Sequence, residues 1–222
     1  MSKSNYLILA CVLATLLFWV TNQNGANTDY WAFSTENLLR GRVWTPFTAL
    51  FIHADLLHLA GNMIFLYIFG NTLEKEVGPR RTVLAFFVGG ILAFLLGTPF
   101  FAPSTFIIGA SAAIFTLTAV VMLVKPLKFS FFFLMPVGLV AIIYFVYNVL
   151  AVQFGVESNV AYISHLIGFG VGIPFGIAWG KNVLRNLLIT IGLFTLYLAI
   201  ILLVVPFIME ILGIRGVNLA PI

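Results

Sequence analysis

Residues 53–73 read HADLLHLAGNMIFLYIFGNTL, and the architecture turns on how this stretch is read. From Leu56 to Leu73 it holds no Asp, Glu, Lys or Arg. At ~1.5 Å per residue, a helix of that length crosses most of the ~30 Å hydrocarbon layer of a bilayer. Yet it carries His58 and, one helical turn further on the same face, Asn62. Hydrocarbon penalises such groups, so a span that keeps them marks a functional position by default.

Outward from this stretch, six more runs lack acids and bases, at residues 5–21, 82–101, 109–124, 129–154, 159–180 and 186–209. Composition agrees with a chain that lives in lipid. Of 222 residues, 62% are apolar and 8% charged, and the mean hydropathy is +1.12. A soluble domain needs about a quarter of its residues charged to cover its surface. A soluble enzyme, a disordered chain and a nucleic-acid-binding module are therefore excluded. The fold class expected is an all-α polytopic bundle of about seven transmembrane helices, one membrane domain over 1–222. The first run follows Lys3 as a signal peptide would, but Thr21-Asn22-Gln23-Asn24 offers no small-x-small cleavage site, so it is read as a span. The single Cys11 cannot form an intrachain disulfide.

Basic residues set the orientation. With a cytoplasmic N-terminus, Lys3, Lys75, Arg80, Arg81, Lys125, Lys128, Lys181 and Arg185 lie inside, and only Arg40, Arg42 and Arg215 of the 11 lie outside. An odd number of spans then puts the C-terminus outside. No long basic presequence is present, which makes a prokaryotic cell membrane the expected location. The first connection, residues 22–55, is too long for an idle linker. Its Trp31, Phe33, Trp44, Phe47 and Phe51 favour the headgroup layer. Within it, Ser34 is placed to cap a short helix that Gly41 stops.

The second, fourth and sixth spans run from outside to inside, and each brings polar groups to the outer third of the membrane. These are His58 and Asn62, then Ser111 in the first turn of the fourth, then His165 about two turns into the sixth. A serine hydroxyl becomes a nucleophile when a neutral imidazole takes its proton. Acyl transfer also needs donors aimed at the developing oxyanion. Ser111 and His165 fit the first pair of roles, as nucleophile and base. His58 and Asn62 fit the donor role, beside the unpaired N–H groups of a helix start. No carboxylate sits at the right depth to orient His165, and Glu157 falls in the loop before the sixth span, so the unit expected is a Ser-His dyad. Asn148 in the fifth span is read as interhelical glue. His53 precedes the second span beside Asp55, a candidate N-cap, and read alone it faces water. Gly168, Gly172 and Gly176 share one helix face with His165 and mark close packing, with Gly109, Ala110, Ala112 and Ala113 as the small residues opposite.

At these residues the sequence resembles the rhomboid intramembrane serine proteases, over roughly residues 44–175. The motifs that carry the resemblance are His53-x4-His58-x3-Asn62, the Phe69-Gly70, Glu74 and Gly78-Pro79-Arg80-Arg81 stretch, Gly109-Ala110-Ser111, and His165-x-x-Gly168-x-x-x-Gly172. The resemblance implies a six-helix core over 5–180, with outer loop 22–55 and an additional C-terminal helix over 186–209. It implies Ser111 as nucleophile, His165 as general base, and His58 and Asn62 in the oxyanion hole with the Ser111 backbone N–H. His53 then matches a histidine at the mouth of the cavity, and Phe115 takes the place of an aromatic, often Tyr, that stacks on the base. Two further departures stand out. The Trp-Arg pair common in the first loop is Trp44-Thr45 here, with Arg42 a candidate substitute, and the residue after the serine is Ala112 rather than Gly.

The activity expected is a serine endopeptidase that cleaves single-span membrane proteins in or near their transmembrane segments, on the outer side of the lipid bilayer, with no cofactor and no nucleic-acid partner. The alternative is a catalytically inactive rhomboid-like protein that binds membrane clients for quality control. A transporter is disfavoured because the inner halves of the spans are almost wholly apolar. A zinc protease is disfavoured because there is no H-E-x-x-H, and His53 and His58 do not share a helical face.

Overall fold

The computed structural model describes residues 2–156 and 161–211. Seven apolar helices account for the seven runs. Five are long enough to cross a membrane: α1 (Lys3–Thr21), α2 (Leu56–Val77), α3 (Pro79–Phe100), α6 (Tyr162–Trp179) and α7 (Val183–Ile208). Two are shorter, α4 (Ser111–Val124) and α5 (Val137–Gln153). With so much apolar surface outward and so few charges, the chain is an integral membrane protein built of helices. Glu157, Asn159 and Arg215, and the expected outward C-terminus, lie outside the described residues.

The centre of the bundle is α4, buried from Ala112 to Leu123. The helix α6 packs along it through its glycine face. A Cβ on Gly168 would meet the Ala112 carbonyl oxygen, and one on Gly172 the Thr116 carbonyl oxygen. Both glycines therefore permit a helix approach that no other residue allows. Thr116 Oγ1 also donates to the Gly168 carbonyl across the same seam, at 2.7 Å.

Local chemistry fixes the ends of α2. The Asp55 side chain caps its start by accepting from the His58 N–H at 2.8 Å. At the other end Gly78 takes φ +89°, and Pro79 opens α3 where a missing N–H costs nothing. A π-helical turn over Leu66–Gly70 widens α2 in between. The Glu74 carboxylate ties this C-terminal end to the start of α1, accepting from Lys3 N, Ser4 N and Ser4 Oγ at 2.8 Å each.

The structure revises three expectations. The fifth helix begins at Val137, not residue 129, because β1 (Phe129–Ser130) and β2 (Met135–Pro136) pair as a small antiparallel hairpin. His165 lies in the first turn of α6 as described, about one turn shallower than expected. Phe33 is buried, not interfacial. It stacks on Phe94 with centroids 5.4 Å apart, and its backbone bridges to Ile107. The rest of the first loop folds into short helical turns. Ser34 caps one of them over Thr35–Leu39, and Gly41 follows at φ +82°. Arg42 ties the loop together by donating to Asn37 Oδ1 at 2.6 Å and pairing with Asp29 at 3.2 Å. Thr45 is buried and donates to the Arg42 carbonyl at 2.9 Å.

Candidate active site

The site is built where three helix starts and one helix end meet, at the end of the bundle opposite Lys75, Arg80, Arg81, Lys125, Lys128, Lys181 and Arg185. Ser111 is the first residue of α4. The segment before it is held in place by backbone bonds, with Gly109 N donating to the Ala49 carbonyl at 2.8 Å. Gly109 takes φ +111°, and a Cβ there would lie 2.6 Å from His58 Nε2. Glycine is required at this position on both counts, which gives the Gly-x-Ser motif its physical content. The N–H groups of the first turn of α4 have no carbonyl of their own helix to pair with, and the helix dipole favours negative charge beside them.

Ser111 Oγ and His165 Nε2 are 2.7 Å apart. The imidazole is buried, and Phe115 stacks on it from α4, one turn beyond the serine. Its Nδ1 lies 2.8 Å from Asn148 Oδ1 on α5.

His58 and Asn62 flank Gly109 on the other side. The Cβ position on Gly109 is 3.5 Å from Asn62 Nδ2. That amide nitrogen is buried and has no hydrogen-bond partner among the described residues. An unpaired buried donor costs ~1–3 kcal/mol, and this one lies beside the serine loop. The Ala54 N–H makes a long 3.5 Å contact to His58 Nδ1. With Nδ1 accepting, a neutral ring carries its proton on Nε2, the atom facing Gly109.

His53 differs from the water-facing histidine expected from its position. It is wholly buried. The Ala110 N–H donates to its Nε2 at 3.4 Å, so the proton is on Nδ1 and goes to Thr15 Oγ1 on α1 at 3.0 Å. Thr15 in turn donates to the Phe51 carbonyl at 3.1 Å, and Trp19 Nε1 donates to the His53 carbonyl at 2.8 Å. His53 thus pins the loop before the serine to α1. Burial, and secondarily the neighbouring His58, push its imidazole down to about 3, with Asp55 opposing.

Sequence reasoning missed the role of Asn148 as a neighbour of His165. The signal was present. The C-terminal end of α5 lies beside the N-terminal ends of α4 and α6, so distance into the bundle is counted back from Gln153, and Asn148 lies ~7.5 Å from it along the axis.

The chain is 28% identical over 203 residues to the rhomboid protease GluP of Bacillus subtilis, covering 84% of this chain and 39% of that protein. It is 27% identical over 195 residues to RHOMBOID-like protein 12, mitochondrial, of Arabidopsis thaliana, covering 79% and 56%. It is 26% identical over 97 residues to the rhomboid protease GlpG of Salmonella newport, covering 43% and 34%. The chain spans about half or less of the length of these relatives. They are bacterial and plant proteins, one of them named as mitochondrial, so they do not narrow the membrane to a prokaryotic one. Residues 40–182, which contain Ser111, His165, His58 and Asn62, match the family model described as Rhomboid domain, and the chain belongs to the rhomboid family.

Proposed function

We propose that the protein is an intramembrane serine endopeptidase whose nucleophile is Ser111 and whose general base is His165. The observation that carries this reading is the 2.7 Å contact between Ser111 Oγ and His165 Nε2 beside an unpaired, buried Asn62 amide. Family membership supports intramembrane proteolysis in general, and relatives named as proteases support it further.

In this mechanism His165 Nε2 takes the hydroxyl proton as Ser111 Oγ attacks a peptide carbonyl carbon. The carbonyl oxygen becomes an oxyanion, and Asn62 Nδ2, His58 Nε2 and the Ser111 backbone N–H donate to it. Collapse breaks the C–N bond, the imidazolium gives its proton to the leaving amine, and an ester on Ser111 remains. Water then attacks the ester with His165 as base, releasing the acid and restoring the serine. Substrates are single-span membrane proteins. A stable helix hides its carbonyls in its own hydrogen bonds, so the preferred ones carry Gly, Pro or polar residues near the cut and small side chains at the cleaved bond. The basic end of the bundle faces the cytoplasm, with the N-terminus, and the site opens on the outer side.

The test is cleavage of a tagged single-span substrate in liposomes by wild type, Ser111→Ala and His165→Ala. Cleavage by wild type alone is expected. Cleavage that survives in Ser111→Ala overturns the serine mechanism. A wild type inert toward several substrates, and unlabelled by a serine-directed inhibitor, turns the reading to client binding without catalysis.

A further inference from the structure

Asn148 is buried in α5, 17 residues before His165 in sequence, and both polar ends of its amide are engaged. Nδ2 donates to the Tyr144 carbonyl one turn back, at 2.8 Å. That contact settles which way the amide points. A flipped amide would set its oxygen against the Tyr144 carbonyl oxygen, where neither atom has a hydrogen. Oδ1 therefore faces His165 Nδ1 at 2.8 Å. An amide oxygen only accepts, so Nδ1 carries the proton. In a neutral imidazole Nε2 is then bare, with its lone pair directed at Ser111 Oγ, 2.7 Å away.

We infer that Asn148 is a positioning residue that holds His165 in the Nδ1–H tautomer and aims its Nε2 at Ser111, completing a Ser111–His165–Asn148 relay across α4, α6 and α5. The inference rests on the proposed serine mechanism for its catalytic meaning, but the tautomer itself does not depend on proteolysis. An amide suits this place in lipid. It orients the ring as a carboxylate would, without a second charge to bury. It also leaves the imidazolium formed during the reaction less stabilised, so the proton is returned readily to the leaving amine.

The groups that face the ring are few. α4 presents Ser111 and Phe115, α5 presents Asn148, and α6 itself contributes Tyr162, edge-on at 6.4 Å between centroids. His58 on α2 lies on the other side of the serine loop, beside Gly109. The titratable residues of α3 are Arg80 and Arg81, at the opposite end of the bundle.

The chain has 3 histidines, so nitrogen-15 NMR of histidine-labelled full-length protein in detergent is assignable with single His53→Gln and His58→Gln variants. In wild type at neutral pH, His165 is expected to show a protonated Nδ1 and a bare Nε2. Asn148→Leu is expected to lose this preference and to lower kcat roughly 10- to 100-fold with KM little changed, a part of what general-base catalysis supplies. In Asn148→Asp, nearly the same shape, the acidic limb of the pH–rate profile is expected to move up by about one unit or more, because a carboxylate beside Nδ1 favours the imidazolium. A wild-type ring protonated on Nε2 overturns the inference with no variant needed, even for one that fails to fold. An unmoved pH profile in a folded, active Asn148→Asp overturns it too. If wild type cleaves nothing, the NMR result still decides the tautomer, and the failure belongs to the proposed function.

Discussion

The ring of Phe115 lies on the imidazole of His165, with centroids 4.6 Å apart and planes within 6° of parallel. One face of the imidazole is thus constrained by packing, and its two nitrogens by hydrogen bonds. An aromatic pair contributes ~0.5–1.5 kcal/mol beyond its buried area. Phe115→Leu keeps the volume near native but removes the stack, and kcat is expected to fall about 3- to 10-fold. Phe115→Tyr keeps the ring and is expected to stay near wild type. Equal activity for Leu and Tyr at this position would show that the stack does not hold the base.

Asn62 offers a test in which stability and activity part company. Its Nδ2 has no partner among the described residues, so removing it relieves a cost of ~1–3 kcal/mol. Asn62→Leu is therefore expected to hold or raise Tm while lowering kcat by about 10²–10³, the usual loss for one oxyanion donor. Thermal unfolding in detergent and single-turnover cleavage measure the two halves. A variant that loses Tm and activity together assigns Asn62 to structure.

Helix packing sets the distance between Ser111 and His165. A Cβ on Gly168 meets the Ala112 carbonyl oxygen, whereas Gly170, two residues on, has nothing within 4 Å of its Cβ position. Gly168→Ala is expected to destabilise by about 1–3 kcal/mol, and a shift of α6 from α4 near 1 Å to cost about 100-fold in rate. Gly170→Ala serves as the control and is expected to be neutral or slightly stabilising. Equal effects at the two positions would refute close packing as the cause.

His53 predicts an acid-side loss of stability. The buried ring stays neutral down to about 3, while the unfolded chain protonates it near 6.5. Its contribution is fully present above about pH 6.5 and is lost as pH falls toward 3, at up to ~1.4 kcal/mol per unit. Tm of wild type should therefore drop between pH 7 and pH 5 by more than Tm of His53→Gln, whose amide can still accept from the Ala110 N–H. Parallel curves for the two proteins would mean that His53 does not carry that proton linkage.

Much of this fold is legible in the sequence because lipid enforces a simple rule. A long run without charges holds a helix, and among the described residues each of the seven runs does. The coming together of Ser111, His165, His58 and Asn62 was legible as well, since orientation converts position along each span into depth. Two things were harder to read. The hairpin over residues 129–136 is as apolar as the helix it precedes, so periodicity and composition did not separate them. Asn148 resembled helix glue because its depth must be counted from the far end of an ascending span, and because an amide carries no charge to announce it. Phe33 shows the same limit, since an aromatic in an outer loop reads alike whether it faces headgroups or folds back on Phe94.

The shortness of α4 reaches beyond packing. Its 14 residues make a rod of ~21 Å, less than the ~30 Å hydrocarbon layer. Such a rod cannot bring both ends to water. At the serine end the N–H groups of the first turn have no carbonyl of their own helix to pair with. At the other end the carbonyls of Leu123 and Val124 each accept from Asn186 Nδ2 on α7, at 2.7 and 3.1 Å. The last helix, though almost wholly exposed along its length, stoppers the end of the rod away from Ser111. Donors free of helix partners at one end and carbonyls bound by a neighbouring helix at the other give that rod a direction.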